Sequence, residues 1–438
     1  MLTSLRRTVL GELPAFRPDP LRWVEERLLG NDRPLPVRLG PGNAVFIARP
    51  SAFRQVLVDE VETFGKGALQ ARMRPAFGDG LITASGARWQ AARHAAKASF
   101  SHAELNAGME LAQLVLAEET GRLAMRGDAP LSLHAWMGRL TLRMVVAALF
   151  RVRMEDDAAE RLYQAGQVVH TRFSHAMWRI VDLDATLPTP ENRRFKAALR
   201  TFEAFIDQVA SPPQGVLKAL APLAEEFGPQ VLRDEAMTMM IAGFETTATV
   251  AAMLAYELAD KPWISEWLRP EIDAAANGFE LSTERFRDMP RTRSFVQEVL
   301  RLYPSTWWFA RVADRDTEID GVPVRKGTSV LLCPWALHRQ EDLWEDARRL
   351  DPARFLGRKA PDKFAYVPFG AGPRTCVGAQ LATAELMGIA AMLVGAFEVQ
   401  PLSGPVDRLG LRGDVTLALP AGGLDVRLNL RAPVRKVA

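Results

Sequence analysis

The chain has 438 residues, 48% hydrophobic and 24% charged, enough apolar material for a large core and too little charge for a mostly disordered chain. A net charge of +3 makes no case for nucleic-acid binding, and two cysteines, Cys333 and Cys376, cannot form a disulfide framework. With no run of about 18 uninterrupted apolar residues and no long apolar stretch behind Met1–Arg7, neither a membrane span nor a secretory signal is expected, and the chain reads as soluble and cytoplasmic.

A helix is expected to start at Asp19-Pro20, with the carboxylate as cap and Leu21, Val24 and Leu28 on one face. Val37–Leu39 and Ala44–Ala48 read as strands around a Gly40-Pro41-Gly42-Asn43 turn, followed by a short helix from Pro50 carrying Phe53, Val56 and Leu57. Phe64 to Gly86 holds five glycines and little periodicity, and reads as an irregular segment that could cover a pocket. From Ala87 to about Ala210 the pattern is helical, with breaks at Pro188 and Pro190. Within it, Gln167–Asp184 mixes Phe173, Met177 and Trp178 with charges and reads as amphipathic and mobile. A long helix is expected from near Glu225 to Leu258, then helices at Trp263–Ala275 and Thr292–Leu302. Strand periodicity follows between Arg311 and Leu332, then an irregular stretch from His338 to Pro368, a helix from Ala379 to Val394, and strand and turn from Phe397 to Leu430. The expected fold is mainly α with small β-sheets, in a single large domain.

Several runs break local rules in ways that point to chemistry. Phe369-Gly370-Ala371-Gly372-Pro373-Arg374-Thr375-Cys376-Val377-Gly378 delivers a cysteine to the start of an apolar helix. There the free N–H groups, the helix dipole and Arg374 favour a thiolate, whereas an arbitrary cysteine beside a turn is more often an inert buried thiol. Gly370 and Gly372 permit a left-handed turn, and Gly378 permits close approach to the backbone. In the long helix, Ala242-Gly243-Phe244-Glu245-Thr246-Thr247 places a glycine, a carboxylate and two hydroxyls where apolar helix formers would be favoured. A threonine there can bond back to the carbonyl four residues earlier. Taken alone, this run could equally be a small-residue helix crossing. Glu298 and Arg301 share a helix face, which alone would be an exposed ion pair. Trp89 and Arg93 also share a face, alone a packed indole and a solvated guanidinium. Six histidines, among them His94, His102 and His338, show no zinc-like spacing, and Cys333 in an apolar strand reads as core.

The pattern Phe-x-x-Gly-x-Arg-x-Cys-x-Gly resembles the haem-binding loop of the cytochrome P450 family, and the other runs match further family motifs in order and spacing from Asp19 onward. The resemblance implies a b-type haem with Cys376 as the axial thiolate ligand of its iron. Ala242, Phe369 and Gly378 would lie against the haem, and Trp89, Arg93, Arg311 and Arg374 would hold its propionates, with His102 a further possibility at that edge. It implies that Glu245 relays protons and that Thr246 hydrogen-bonds dioxygen over the haem. Many relatives carry Asp where this chain has Glu245. Glu298, Arg301 and Arg354, the last from Asp351-Pro352-Ala353-Arg354-Phe355, would form a buried structural network behind the cysteine loop.

The activity implied is insertion of one atom of dioxygen into a lipophilic small molecule, by a monomer. Only about 40 residues follow Phe397, so electrons are expected from a separate ferredoxin and ferredoxin reductase, docking on Arg88, Lys97, Arg339, Arg348 and Arg349. A pocket wall of Phe77, Leu81, Ile82, Phe173, Met239, Trp307, Trp308 and Phe309 is expected, and Tyr303–Trp307 is similar to members that oxidise terpenoid or carotenoid rings, or fatty acids. Three other readings remain open. A peroxide-driven hydroxylase or a haem-thiolate isomerase would tend to lose Glu245-Thr246, and a haem-thiolate sensor or electron carrier would not need the Phe64–Gly86 segment or an aromatic pocket.

Overall fold

The computed structural model describes residues 10–178, 187–275, 285–402, 404, 410–419 and 424–431. Ten helices of eight residues or more dominate the described chain. In order they are α1 (Pro20–Leu28), α2 (Gly86–Ser99), α3 (His102–Arg126), α4 (Leu133–Phe150) and α5 (Asp156–Trp178). They continue with α6 (Pro190–Val209), α7 (Gln230–Asp260), α8 (Pro262–Ala275), α9 (Pro290–Leu302) and α10 (Ala379–Ala396). Asp19 caps α1 as expected, its Oδ1 accepting from the Arg22 N–H at 3.1 Å. The long helix starts later than expected, at Gln230. Gly228, at φ +87°, and Pro229 separate it from a short helix, Leu223–Phe227. Met1–Arg7 and the end of the Gln167–Asp184 segment, from 179 on, lie outside the described residues; its start forms the second half of α5, with Phe173 and Met177 buried.

The strands are β1 (Leu35–Leu39), β2 (Gly42–Ile47), β3 (Phe64–Gly65), β4 (Leu131–Ser132), β5 (Phe309–Ala313), β6 (Thr317–Ile319), β7 (Val322–Val324) and β8 (Ser329–Leu332). After α10 come β9 (Phe397–Pro401), β10 (Arg412–Gly413), β11 (Leu417–Ala418) and β12 (Asp425–Leu430). The largest sheet runs β1-β2-β8-β5-β3, antiparallel except for the β2–β8 pair, with a second sheet β4-β12-β9 and hairpins β6–β7 and β10–β11. This is the mainly α single domain with small sheets that the sequence implies.

Two helices, α7 and α10, are long and apolar enough to cross a membrane by length and composition. Both are mostly buried in the core, where α7 packs along α4 and α10. That apolar surface is spent on helix–helix contact, as expected of a helix apolar all round inside a large domain. Gly243 shows how close the packing is. A Cβ there would meet the Val145 side chain of α4 at 3.1 Å, so this glycine serves the helix crossing as well as the neighbouring cavity.

The Phe64–Gly86 segment is more ordered than its composition suggests. It contains β3 and two short helices, Ala68–Ala71 and Arg74–Phe77. The N-terminal part of α7 clamps it, with the Asp79 N–H donating to Asp234 at 2.9 Å and the Leu81 N–H to Glu235 at 3.0 Å. Lys66 stitches the segment to itself, its Nζ donating to the carbonyls of Leu81 at 2.8 Å and Ala84 at 2.6 Å.

Behind the loop that precedes α10 lies a buried charged network. Arg301 makes a fork with Glu298 at 2.7 and 2.8 Å and donates to the carbonyls of His338 and Ala347, both at 2.6 Å. Arg354 adds its Nε to the same carboxylate at 3.0 and 3.1 Å. His338 extends the network: its Nδ1 donates to the Arg301 carbonyl at 3.0 Å, and its Nε2 accepts the Val367 N–H at 3.0 Å, two residues before Phe369. Burial and the Arg301 charge push the His338 imidazole down to about 3.

Removing one member of such a network leaves the others buried and uncompensated. Glu298→Ala is expected to destabilise the fold by roughly 3–5 kcal/mol, read from the denaturant midpoint. His338 gives a pH-dependent counterpart. An unfolded imidazole titrates near pH 6.5, so between there and about 3 the unfolded chain binds the extra proton. The His338 contribution is therefore complete above about pH 6.5 and is lost as pH falls below it. Urea midpoints measured from pH 7 to 4 are expected to fall less steeply for His338→Gln than for the unmodified chain.

Candidate active site

A cavity of about 500 Å³ lies between α7 and the loop leading into α10. Cys376 faces it from one wall, and Ala242, Glu245 and Thr246 from another. The cysteine loop is shaped by Gly370 and Gly372, at φ +71° and +72°, and closed by the Cys376 N–H donating to the Phe369 carbonyl at 2.9 Å. At Gly372 any Cβ would fall 2.0 Å from the Leu57 carbonyl oxygen, so position and backbone conformation both require glycine. The sulfur is accessible from the cavity, yet the residue lies deep in the protein, and that depth governs its titration. Burial raises the Cys376 pKa, outweighing the Gly378 N–H and the Arg93 charge, which pull it down. The polypeptide alone therefore does not stabilise the thiolate that the helix terminus and Arg374 suggested. Cys333 is buried core, its pKa raised by desolvation.

One rim of the cavity is cationic. Trp89 and Arg93 from α2, Arg311 from β5 and Arg374 from the loop all line it, with the Arg374 guanidinium 4.7 Å from the Trp89 ring centroid. Lys66 joins them, a residue the sequence reading missed. Its signal was a lysine between two glycines, Gly65 and Gly67, with no helix face to carry its charge outward. Burial, then Arg374 and Arg311, push the Lys66 pKa down to about 7, and burial followed by Arg374 takes Arg311 to about 10. Among the described residues none of Lys66, Arg93, Arg311 and Arg374 forms an ion pair, and Arg374 Nη1 is buried without a hydrogen-bond partner. His102 is exposed and does not reach this rim.

These features fit a planar, dianionic, metal-centred group. The rim supplies cations for two carboxylates and the loop supplies a sulfur. A Cβ at Gly378 would have only ordinary contacts, at 3.9 Å, with Cys376 Sγ and Phe100, so the space before the sulfur is open.

On α7, Thr246 bonds back to the Ala242 carbonyl at 2.7 Å and Thr247 to Gly243 at 2.9 Å, as the local sequence suggests. Burial raises the Glu245 pKa, opposed by His170 of α5, whose Nδ1 lies 3.6 Å from Glu245 Oε1. His170 is a second missed residue; nothing in its local sequence says which helix it will face. Glu385 on α10 is a third, a fully buried acid lining the cavity with Oε1 unpartnered and its pKa raised well above normal by desolvation.

Phe77, Leu81, Ile82, Phe173, Met239, Trp308 and Phe309 line the cavity as expected, with the Phe77 and Phe173 rings 5.5 Å apart. Trp307 does not. It is fully buried beneath the β10–β11 hairpin, donating to the Asp414 carbonyl at 2.8 Å, and so holds the hairpin that brings Val415 and Thr416 to the cavity. The expected docking cations also divide. Arg88 pairs with buried Glu235 and Arg339 is itself buried, whereas Lys97, Arg348 and Arg349 are exposed.

The family model for cytochrome P450 matches residues 35–424. The chain belongs to the cytochrome P450 family. Its relatives include a cyclooctat-9-en-7-ol 5-monooxygenase of Streptomyces melanosporofaciens, 28% identical over 90% of this chain and 88% of the relative. A pentalenene oxygenase of Streptomyces avermitilis is 27% identical, covering 82% of each chain. The protein LUTEIN DEFICIENT 5 of Arabidopsis thaliana is 24% identical over 82% of this chain and 66% of the relative. As a cytochrome P450 the protein is a haem-dependent monooxygenase. A thiolate ligand imposes a characteristic spectrum on the reduced carbon monoxide complex, so Cys376→Ala is expected to abolish that spectrum while Cys333→Ala leaves it intact.

Proposed function

We propose that this cytochrome P450 hydroxylates a lipophilic cyclic molecule of terpenoid type, with Cys376 as the iron ligand and Glu245 and Thr246 as the proton-handling pair. The observation that carries this reading is the placement of Glu245 and Thr246 on the α7 wall of a cavity that Cys376 also faces, with an aromatic and aliphatic wall between. When bound, the haem supplies the redox chemistry by which dioxygen is split and one oxygen atom transferred. Trp89, Arg93, Arg311, Arg374 and Lys66 would hold its propionates, relieving their mutual repulsion. The Thr246 hydroxyl, now donating to Ala242, can turn to hydrogen-bond a ligand in the cavity. Glu245, whose pKa burial raises, is suited to hold a proton and release it there. Phe77, Leu81, Ile82, Phe173, Met239, Trp308 and Phe309 would exclude water and orient the substrate by contact alone.

The substrate class draws support from two relatives whose names specify cyclooctat-9-en-7-ol and pentalenene. The Glu245-Thr246 pair favours dioxygen over a peroxide-driven route. We assign electron supply to a separate ferredoxin and its reductase, drawn by exposed cations that include Lys97, Arg348 and Arg349. Turnover limited by that encounter is expected to slow steeply as ionic strength rises.

β-Ionone, a cyclic terpenoid, and lauric acid serve as probes. A shift of the haem spectrum with β-ionone and none with lauric acid supports the assigned class, and the reverse result removes it. Thr246→Ala is expected to keep haem content and the β-ionone shift while product per NADH falls roughly tenfold, the balance appearing as hydrogen peroxide. Undiminished product per NADH would exclude the role given to Thr246.

A further inference from the structure

His170 stands where three cavities meet. The large cavity shares His170, Glu245 and Thr416 with an inner chamber of about 100 Å³. That chamber shares His170 and Asp414 with an outer cavity of about 320 Å³. The outer cavity is lined by Arg17, His175 and Arg412, all exposed, so it opens at the surface between α5 and the β10–β11 hairpin. The inner chamber has a mixed lining: His134 of α4, Tyr163 and Gln167 of α5 and Thr249 of α7 offer polar partners for a water, beside apolar Phe244, Ala248 and Leu417. Apart from Glu245, no carboxylate but Asp414 lines these two chambers among the described residues.

We propose that His170 carries protons from water in the outer cavity to Glu245, and so supplies the acid of the catalytic cavity. The inference rests on the monooxygenase reading above. Its geometry suits a two-sided carrier. Nε2 of His170 lies 3.1 Å from Thr416 Oγ1, and Nδ1 lies 3.6 Å from Glu245 Oε1. The first contact is a hydrogen bond. The second is about half an ångström too long for one and closes by a small side-chain rotation or through one water. A proton from water that has passed from the outer cavity into the inner chamber enters at Nε2 by way of the Thr416 hydroxyl, which gives up its own proton and takes a replacement from that water. The imidazolium then releases its Nδ1 proton to the Glu245 carboxylate. One water-derived proton has moved to a carboxylate, no electron has been transferred, and exchange with water at the two nitrogens restores the starting tautomer. Imidazole is the side chain suited to both halves of this exchange near neutral pH. The opposing influences on Glu245, burial favouring its acid form and His170 its ionised form, keep that acid able to accept and to release.

The test uses the haem-loaded enzyme with β-ionone as probe and His170→Gln, which keeps hydrogen-bonding capacity but cannot carry the proton. Product formation and the thiolate-type carbon monoxide spectrum of the unmodified enzyme score the monooxygenase reading by themselves. Relative to it, His170→Gln is expected to keep that spectrum, lose roughly tenfold in product per NADH with peroxide as the balance, and show a larger solvent deuterium isotope effect. Independently of turnover, the infrared band of the Glu245 acid form, identified by its loss in Glu245→Gln, is expected to persist to higher pH in His170→Gln, because the imidazole whose interaction lowers the Glu245 pKa is gone. Unchanged coupling and isotope effect overturn the proposal. So does a loss of product without a change in isotope effect, which assigns His170 to packing. If His170→Gln does not take up haem, Thr416→Val, which removes the hydroxyl that hands the proton to Nε2, carries the test with the same outcomes in coupling and isotope effect.

Discussion

The loop that bears Cys376 is held from behind by one buried carboxylate, Glu298, shared between Arg301 and Arg354. A charge buried this deeply survives only when it is paired and its remaining hydrogen-bonding capacity is used, so the network admits few geometries. Arg301 spends its other donors on the carbonyls of His338 and Ala347, and His338 passes the constraint on to the Val367 N–H. The left-handed turns at Gly370 and Gly372 then begin from a fixed point, and the sulfur is aimed at the cavity. A packed apolar support of the same volume could supply stability, but it would not specify direction as hydrogen bonds do.

The front of the cavity has the opposite character. Lys66, Arg93, Arg311 and Arg374 face it without ion-pair partners among the described residues, and the pKa values of Lys66, Arg311 and Arg374 are depressed by burial, with mutual repulsion adding for Lys66 and Arg311. The Cys376 thiol and the Glu245 and Glu385 carboxyls are pushed toward their neutral forms. The polypeptide therefore holds a strained arrangement of charge that a dianionic haem with a cationic metal would relieve. Cofactor binding and charge neutralisation would then be one event, in keeping with the haem dependence of the cytochrome P450 family.

Helix α7 joins these two halves. Its apolar faces pack on α4 and α10, its first turns clamp the Phe64–Gly86 segment over the cavity, and its middle turns present Ala242, Glu245 and Thr246. The glycine and hydroxyls that weaken it as an isolated helix are tolerated because tertiary contacts hold it. Gly243 lets α4 approach, and the threonines are satisfied by carbonyls of the same helix.

Much of this was legible in the residues alone. The helical period of α2 to α5, the Asp19 cap, the cysteine loop and the spacing of Glu298, Arg301 and Arg354 are local patterns, and local patterns follow from backbone sterics and hydrogen bonding within a few residues. The resemblance built on them was enough to name the family and the haem. What the chain order could not say is which faces meet. Trp307 and Trp308 are adjacent and chemically alike, and both donate to a hairpin carbonyl more than a hundred residues away, yet only Trp308 also lines the cavity. Arg88 and Arg339 look like surface cations until Glu235 and the core surround them. Cys376 looks activated by its helix terminus, yet burial decides its titration in the polypeptide alone. Lys66 and His170 acquire their significance only from partners on other elements. Sequence by itself determined most of the elements, the family and the residue types that carry the chemistry; tertiary structure decided burial and the charged neighbours of each group, because desolvation and Coulomb interactions depend on distance through space, not along the chain.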